Sequence, residues 1–140
     1  MAAGKGVRFS KTNYNSKEQK QFVKINNKTI YEICIENFIK TNLNIDILPV
    51  VNKNNIKLTN LISKKYDIQN PIIGGKTRQE SVNNALKKLN NDSYEFVLIH
   101  DVARPFINKN VILELFKQMS TSTSCVVPYI NIQDSLRNIS

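Results

Sequence analysis

The chain has 140 residues and a mass of 16.0 kDa, the size of one ordinary domain. Hydrophobic residues make up 41% and charged residues 22%, which suits a globular core and excludes wholesale disorder. No apolar run is long enough for a membrane span and no apolar leader is visible at the start, so neither a membrane nor a secretory route is expected.

The net charge is +9. It does not read as a nucleic-acid stripe, because the lysines are scattered along the chain. Asn, Lys and Ile together account for 54 of the 140 residues, a drift of the whole composition. A basic balance still suits an anionic ligand. The four arginines stand at 8, 78, 104 and 137, and each marks a place where a planar fork is wanted rather than a point charge. Cys34 and Cys125 lack metal-ligand spacing, and both are expected as small buried residues in a reducing compartment.

In chain order, the loop Ala2-Ala3-Gly4-Lys5-Gly6-Val7-Arg8 combines small residues, two glycines and a guanidinium. Its backbone N–H groups can wrap phosphates. The polar run 11–20 reads as an exposed loop. Ile30, Ile33, Cys34 and Phe38 fall at helical spacing within 29–40. Residues 45–51 form a short apolar run of strand type, and 55–66 a helix. Pro71 to Ile73 is a short strand, followed by Gly74-Gly75 and a helix with Val82, Ala85, Leu86 and Leu89 on one face. Thr77 and Glu80 have the spacing of a capping box. Residues 96–100 are a continuous apolar run of the buried-strand kind. Asn108 is a plausible N-cap for a helix carrying Val111, Ile112, Leu115, Phe116 and Met119. Residues 124–130 are one more expected strand.

This alternation predicts an α/β fold with a mainly parallel sheet, in which ligands bind at the carboxyl ends of the strands. The chemistry-bearing residues gather at those ends. Gly74, Gly75 and Ser81 lie after one strand. Asp101 and Arg104 lie after another, in Ile99-His100-Asp101-Val102-Ala103-Arg104-Pro105. A carboxylate at a buried strand end needs a cation or a metal. Asp101 therefore reads as a Mg2+ ligand beside phosphate, or as the partner of Arg104 in an ion pair. His100, the only histidine, reads as a packed residue rather than a base. Asp134-Ser135-Leu136-Arg137 adds a carboxylate, a hydroxyl and a cation.

Five segments in this order resemble the 2-C-methyl-D-erythritol 4-phosphate cytidylyltransferase family of the non-mevalonate isoprenoid pathway. They are Ala2 to Arg8, Lys20-Gln21-Phe22, Gly74 to Val82, Ile99 to Pro105 and Asp134 to Arg137. The resemblance implies a Rossmann-like, GT-A-like nucleotidyltransferase fold, a three-layer sandwich incomplete at both ends, with residues 1–140 as a single partial domain. It implies transfer of CMP from CTP to methylerythritol phosphate, with release of pyrophosphate. By family position Ala2, Ala3, Gly75 and Ser81 would hold the cytosine, and Gly4 and Gly6 the triphosphate. Arg8 and Lys20 would neutralise the α-phosphate as catalytic residues. Asp101 would hold Mg2+ and Val102 would lie near the ribose. Arg104 and Ser135 would lie on the side of the second substrate, and Asp134 would be a further substrate-binding residue. A hydrophobic strand would precede Ala2, where this sequence has only Met1, and Gln19 stands where relatives carry proline. A homodimer of the full-length parent and a cytoplasmic or plastid-type location are further implications. The alternatives are a cytidylyltransferase for another polyol phosphate, such as ribitol 5-phosphate, and a basic nucleic-acid-binding module.

Overall fold

The structure is a computed structural model and describes residues 1–3, 19–89, 94–120, 122–123 and 125–131. A 3-10 turn, Lys20–Phe22, leads into a hairpin of β1 (Lys24–Ile25) and β2 (Lys28–Thr29). Its two turn residues, Asn26 and Asn27, have φ of 48° and 66°. Two left-handed residues in succession give the turn whose twist matches the strands, and asparagine tolerates that region better than most residues.

Helix α1, Ile30–Ile39, follows directly. Thr29 caps it: its Oγ1 accepts from Glu32 N–H at 3.1 Å, and Glu32 Oε2 accepts from Thr29 N–H at 2.9 Å. Lys65, at the end of α2 (Ile56–Lys65), adds an ion pair to Glu32 at 2.8 Å. Burial pushes the Glu32 carboxyl up. The hydrogen bonds from Lys65 and from the Thr29 backbone and hydroxyl outweigh it and hold the group at about 2. Glu36, one turn on, accepts from Lys28 and from the Tyr66 hydroxyl, and is also held below the usual carboxylate range, chiefly by Lys28.

Two short strands, β3 (Val50–Val51) and β4 (Ile72–Ile73), pair in parallel. Helix α3, Arg78–Lys88, follows β4, and α4 is Lys109–Gln118. Met1 and Ala2 lie on the other side of β3. Ala2 N–H donates to Val50 O at 2.7 Å and the residue bridges Val51 in parallel. The α-ammonium of Met1 donates to His100 O at 2.7 Å, and Val102 N–H donates to Met1 O at 3.2 Å. This is the hydrogen-bond pattern of a parallel pair. The spatial order is therefore β4, β3, residues 1–2, residues 100–102. The chain builds to one side of residues 1–2 and then returns to the other, so the strand order reverses at that point.

The core gathers around this line. Ala2, Val51 and Val102 pack with Tyr31, Cys34, Ile35 and Phe38 of α1, Ile62 of α2 and Ile112 of α4. The architecture is α/β with a partial parallel sheet, as the alternation of elements predicts.

Several expectations need correction. The strand expected over 45–51 forms only at Val50–Val51. Residues 96–100 and the described part of 124–130 form no paired strand among the described residues. Val97, Leu98 and Ile99 are each nearly half exposed. An apolar run signals a tendency to burial, but a strand also needs a hydrogen-bonded neighbour. Among the described residues, Met1 and Ala2 supply that neighbour only at the far end of the first run, through His100 and Val102. The apolar face of α3 is half-buried at Val82 and Ala85 and exposed at Leu86. Cys34 is buried, and burial pushes its thiol up to about 11, whereas Cys125 is exposed. Among the described residues no helix is long and apolar enough to cross a membrane.

Candidate functional site

The carboxyl ends of the four parallel segments converge on one side of the sheet. Ala3 follows residues 1–2, Gly74 follows β4, and Asp101 and Val102 belong to the fourth segment. Gly74 N–H donates to Val51 O at 2.9 Å, which carries the chain past the end of β3. A methyl group at Gly74 would lie 2.5 Å from Ala3 Cβ and 2.7 Å from Ser81 Oγ. Glycine is needed here for close approach between two chain segments. Gly74→Ala is expected to lower the urea midpoint by the equivalent of about 1–3 kcal/mol, because neither neighbour can swing aside. An unchanged midpoint would show that the approach is looser than this.

Ser81 is buried and already committed. Its Oγ accepts from Gly75 N–H at 3.0 Å and donates to Thr77 O at 2.8 Å. It braces the glycine turn from behind. Thr77 caps α3 by accepting from Glu80 N–H at 3.0 Å. Glu80 does not complete the expected capping box. Its Oε2 accepts instead from Lys76 N–H at 2.6 Å. An anion arriving at this helix start meets the carboxylate of Glu80 as well as the positive end of the backbone dipole.

Asp101 is half-buried, and its Oδ1 lies 3.3 Å from Arg78 Nε. The expected Asp101–Arg104 ion pair does not form. Arg104 N–H donates to the Asp101 carbonyl at 3.0 Å, closing a turn, and the Arg104 side chain is exposed. Val102 is buried against Ala2 in the core. His100 packs edge-on to Phe38 with ring centroids 5.1 Å apart, and its Nε2 lies 3.0 Å from Arg104 O. Burial, the largest influence, lowers its pKa, and the ring is packed, as its solitary position suggests.

Lys20 is exposed at the start of the 3-10 turn. The next residue, Gln21, is buried, and its Nε2 donates to Ala2 O at 3.1 Å and to Gln19 Oε1 at 2.7 Å. Asn55 Nδ2 also donates to Gln19 Oε1 at 2.7 Å. Gln21 thus ties the turn that carries Lys20 to the strand that carries Ala2. Sequence reasoning missed Gln21 and the partner of Arg78. The signals were there: Gln21 stands inside the Lys20-Gln21-Phe22 segment, and Arg78 is one of only four arginines.

The structure brings together Ala2, Ala3, Gly75, Ser81, Asp101, Val102 and Arg104. Gly4, Gly6, Arg8, Asp134 and Ser135 lie outside the described residues. Among the described residues no group of three His, Cys, Asp or Glu side chains converges. Among the described residues the carboxylates at the crevice are Asp101, half-open to solvent, and Glu80, which is taken up by Lys76 N–H. That fits Mg2+ shared with phosphate oxygens and does not fit an all-protein cage.

A parallel sheet whose strand order reverses, with glycines and a carboxylate at that crevice, defines an α/β protein of the Rossmann-like, nucleotidyltransferase-type fold. The model of the 2-C-methyl-D-erythritol 4-phosphate cytidylyltransferase family matches residues 1–140. A 2-C-methyl-D-erythritol 4-phosphate cytidylyltransferase from Thermosipho melanesiensis is 44% identical over 114 residues, covering 79% of this chain and 48% of the relative. That of Thermotoga neapolitana is 31% identical over 137 residues, covering 98% of this chain and 60% of the relative. The crystal structure of a 4-diphosphocytidyl-2C-methyl-D-erythritol synthase from Anaerococcus prevotii superimposes with a TM-score of 0.63 at 26% identity, over 69% of this chain and 44% of that one. The chain belongs to the 2-C-methyl-D-erythritol 4-phosphate cytidylyltransferase family. It spans about half the length of the curated relatives it matches.

Proposed function

We propose that residues 1–140 form the CTP-binding part of a nucleotidyltransferase domain that transfers CMP to 2-C-methyl-D-erythritol 4-phosphate. The observation that carries this reading is the meeting of Ala2–Ala3, Gly74–Gly75 with Ser81, and Asp101–Val102 at one end of one sheet, joined to the family membership. In the reaction a phosphate oxygen of methylerythritol phosphate attacks the α-phosphorus of CTP. The bond from that phosphorus to the bridging oxygen breaks, and pyrophosphate leaves. Such chemistry depends on alignment and charge neutralisation more than on proton transfer.

In this reading the backbone at Ala3 and Gly75 presents flat, side-chain-poor surface to the cytosine, with Ala2 buried behind it and Ser81 fixing the glycine turn. Gly4 and Gly6 wrap the triphosphate. Arg8 and Lys20 meet the α-phosphate as charge builds on it. The backbone at Val102, whose side chain is buried in the core, lies beside the ribose, Arg104 and Ser135 serve the acceptor, and Asp134 is a further substrate-binding residue. Asp101 would hold Mg2+, which when bound supplies charge neutralisation of the triphosphate. A homodimer of the whole protein and a cytoplasmic location belong to the same reading.

The test is a calorimetric titration of the chain with CTP and with ATP, each in Mg2+, followed by pyrophosphate release by the full-length parent with methylerythritol phosphate and ribitol 5-phosphate as rival acceptors. Saturable binding of CTP and not ATP, with turnover on methylerythritol phosphate, is the expected result. Equal binding of both nucleotides would overturn the cytosine assignment, and preference for ribitol 5-phosphate would move the acceptor.

A further inference from the structure

Arg78 is the first residue of α3, where the helix dipole presents its positive end. A cation there is on the wrong side for helix stability, so the position calls for another explanation. Its Nε lies 3.3 Å from Asp101 Oδ1, across 23 residues of sequence. Among the described ion pairs it is the one that reaches the crevice. The remaining three, Lys28–Glu36, Lys65–Glu32 and Lys117–Glu114, lie on the helices and the hairpin.

We propose that Arg78 is a positioning residue that stands in for the divalent cation at Asp101 until nucleotide and cation arrive together. This rests on the reading of Asp101 as the cation ligand. Without a counter-charge, the Asp101 carboxylate would face the incoming triphosphate as a like charge. The guanidinium cancels that charge in the cation-free state. The pair is solvent-exposed and therefore weak, with side chains 61% and 37% exposed. A weak partner is what an exchange requires, since a strong buried pair would not release the carboxylate. Once a divalent ion takes Asp101, Arg78 is no longer needed there.

The consequence is specific. Arg78→Gln should weaken CTP binding in EDTA by roughly two- to five-fold, the span expected for an exposed pair. Saturating Mn2+ should restore the affinity to that of the unsubstituted chain. The stimulation of CTP binding by Mn2+ therefore rises in Arg78→Gln and stays at the original value in Arg78→Lys. In an Asp101→Asn background the Arg78→Gln change should leave that stimulation ratio unaltered. Calorimetry of the 140-residue chain with CTP, with and without Mn2+, reads all of these, and circular dichroism confirms that each variant is folded. Equal weakening with and without Mn2+ would overturn the proposal, because it would make Arg78 a direct phosphate contact. An unchanged EDTA affinity would overturn it as well. If Asp101→Asn alone leaves the Mn2+ stimulation intact, the assignment of Asp101 fails, and this inference falls with it. Absence of CTP binding by the unsubstituted chain would instead defeat the nucleotide reading itself.

Discussion

Asp101→Asn is expected to weaken CTP binding in Mg2+ by about tenfold or more, the scale of losing one charge-assisted contact. It should also erase the difference between titrations in Mg2+ and in EDTA. Asparagine keeps the volume of the side chain and one oxygen facing Arg78, and the position is only half-buried. The fold should therefore survive, and an unchanged thermal transition would confirm it. Residual Mg2+ dependence equal to that of the unsubstituted chain would remove Asp101 from the cation role.

The second large effect concerns acid. The Glu32 carboxyl is held at about 2, against an ordinary value of 4.5. Its folded-state pKa lies below its unfolded one. Its contribution is therefore complete above about pH 4.5 and is lost as the pH falls toward 2. At about 1.36 kcal/mol per pH unit, the difference amounts to roughly 3 kcal/mol. Glu36, lowered by Lys28 and Tyr66, adds in the same direction. Urea midpoints measured from neutral pH down into that acid range should fall across the same window. Glu32→Gln should lower the midpoint at neutral pH and flatten the acid dependence. A variant that keeps the original slope would place the acid-sensitive charge elsewhere.

The helices are legible in the sequence because their signals are local. The periodicity of 29–40 and 55–66 locates α1 and α2 within a residue or two, and the expected caps at Thr77 and Asn108 mark the starts of α3 and α4. The sheet is less legible, because pairing is a property of two segments and an apolar run describes only one. Phe96 to Ile99 have strand character but find no strand partner among the described residues. The hairpin at 24–29 gives little signal because its strands are two residues long and its turn is Asn26-Asn27 rather than a glycine pair. At the site, the glycine pair follows β4 as the strand–loop boundary predicts, whereas Asp101 lies within the segment bridged to Met1 and not at the end of a strand over 96–100. The partner of Asp101 does not follow from proximity in sequence. Arg104 is three residues away and closes a turn with its backbone, whereas Arg78 arrives through the fold.

Gln21 carries a consequence for how the crevice meets its ligand. A single buried amide joins the turn bearing Lys20 to the carbonyl of Ala2. Through Gln19 and Asn55 the same turn is moored to the start of α2. The placement of an exposed ammonium relative to the buried segment that leads into Ala3 is thereby settled during folding. A ligand that spans the two need not immobilise them on arrival, and its binding free energy is spared that loss of entropy. Without the tether both groups would remain in the molecule but drift apart, and affinity would fall through disorder rather than through any missing contact.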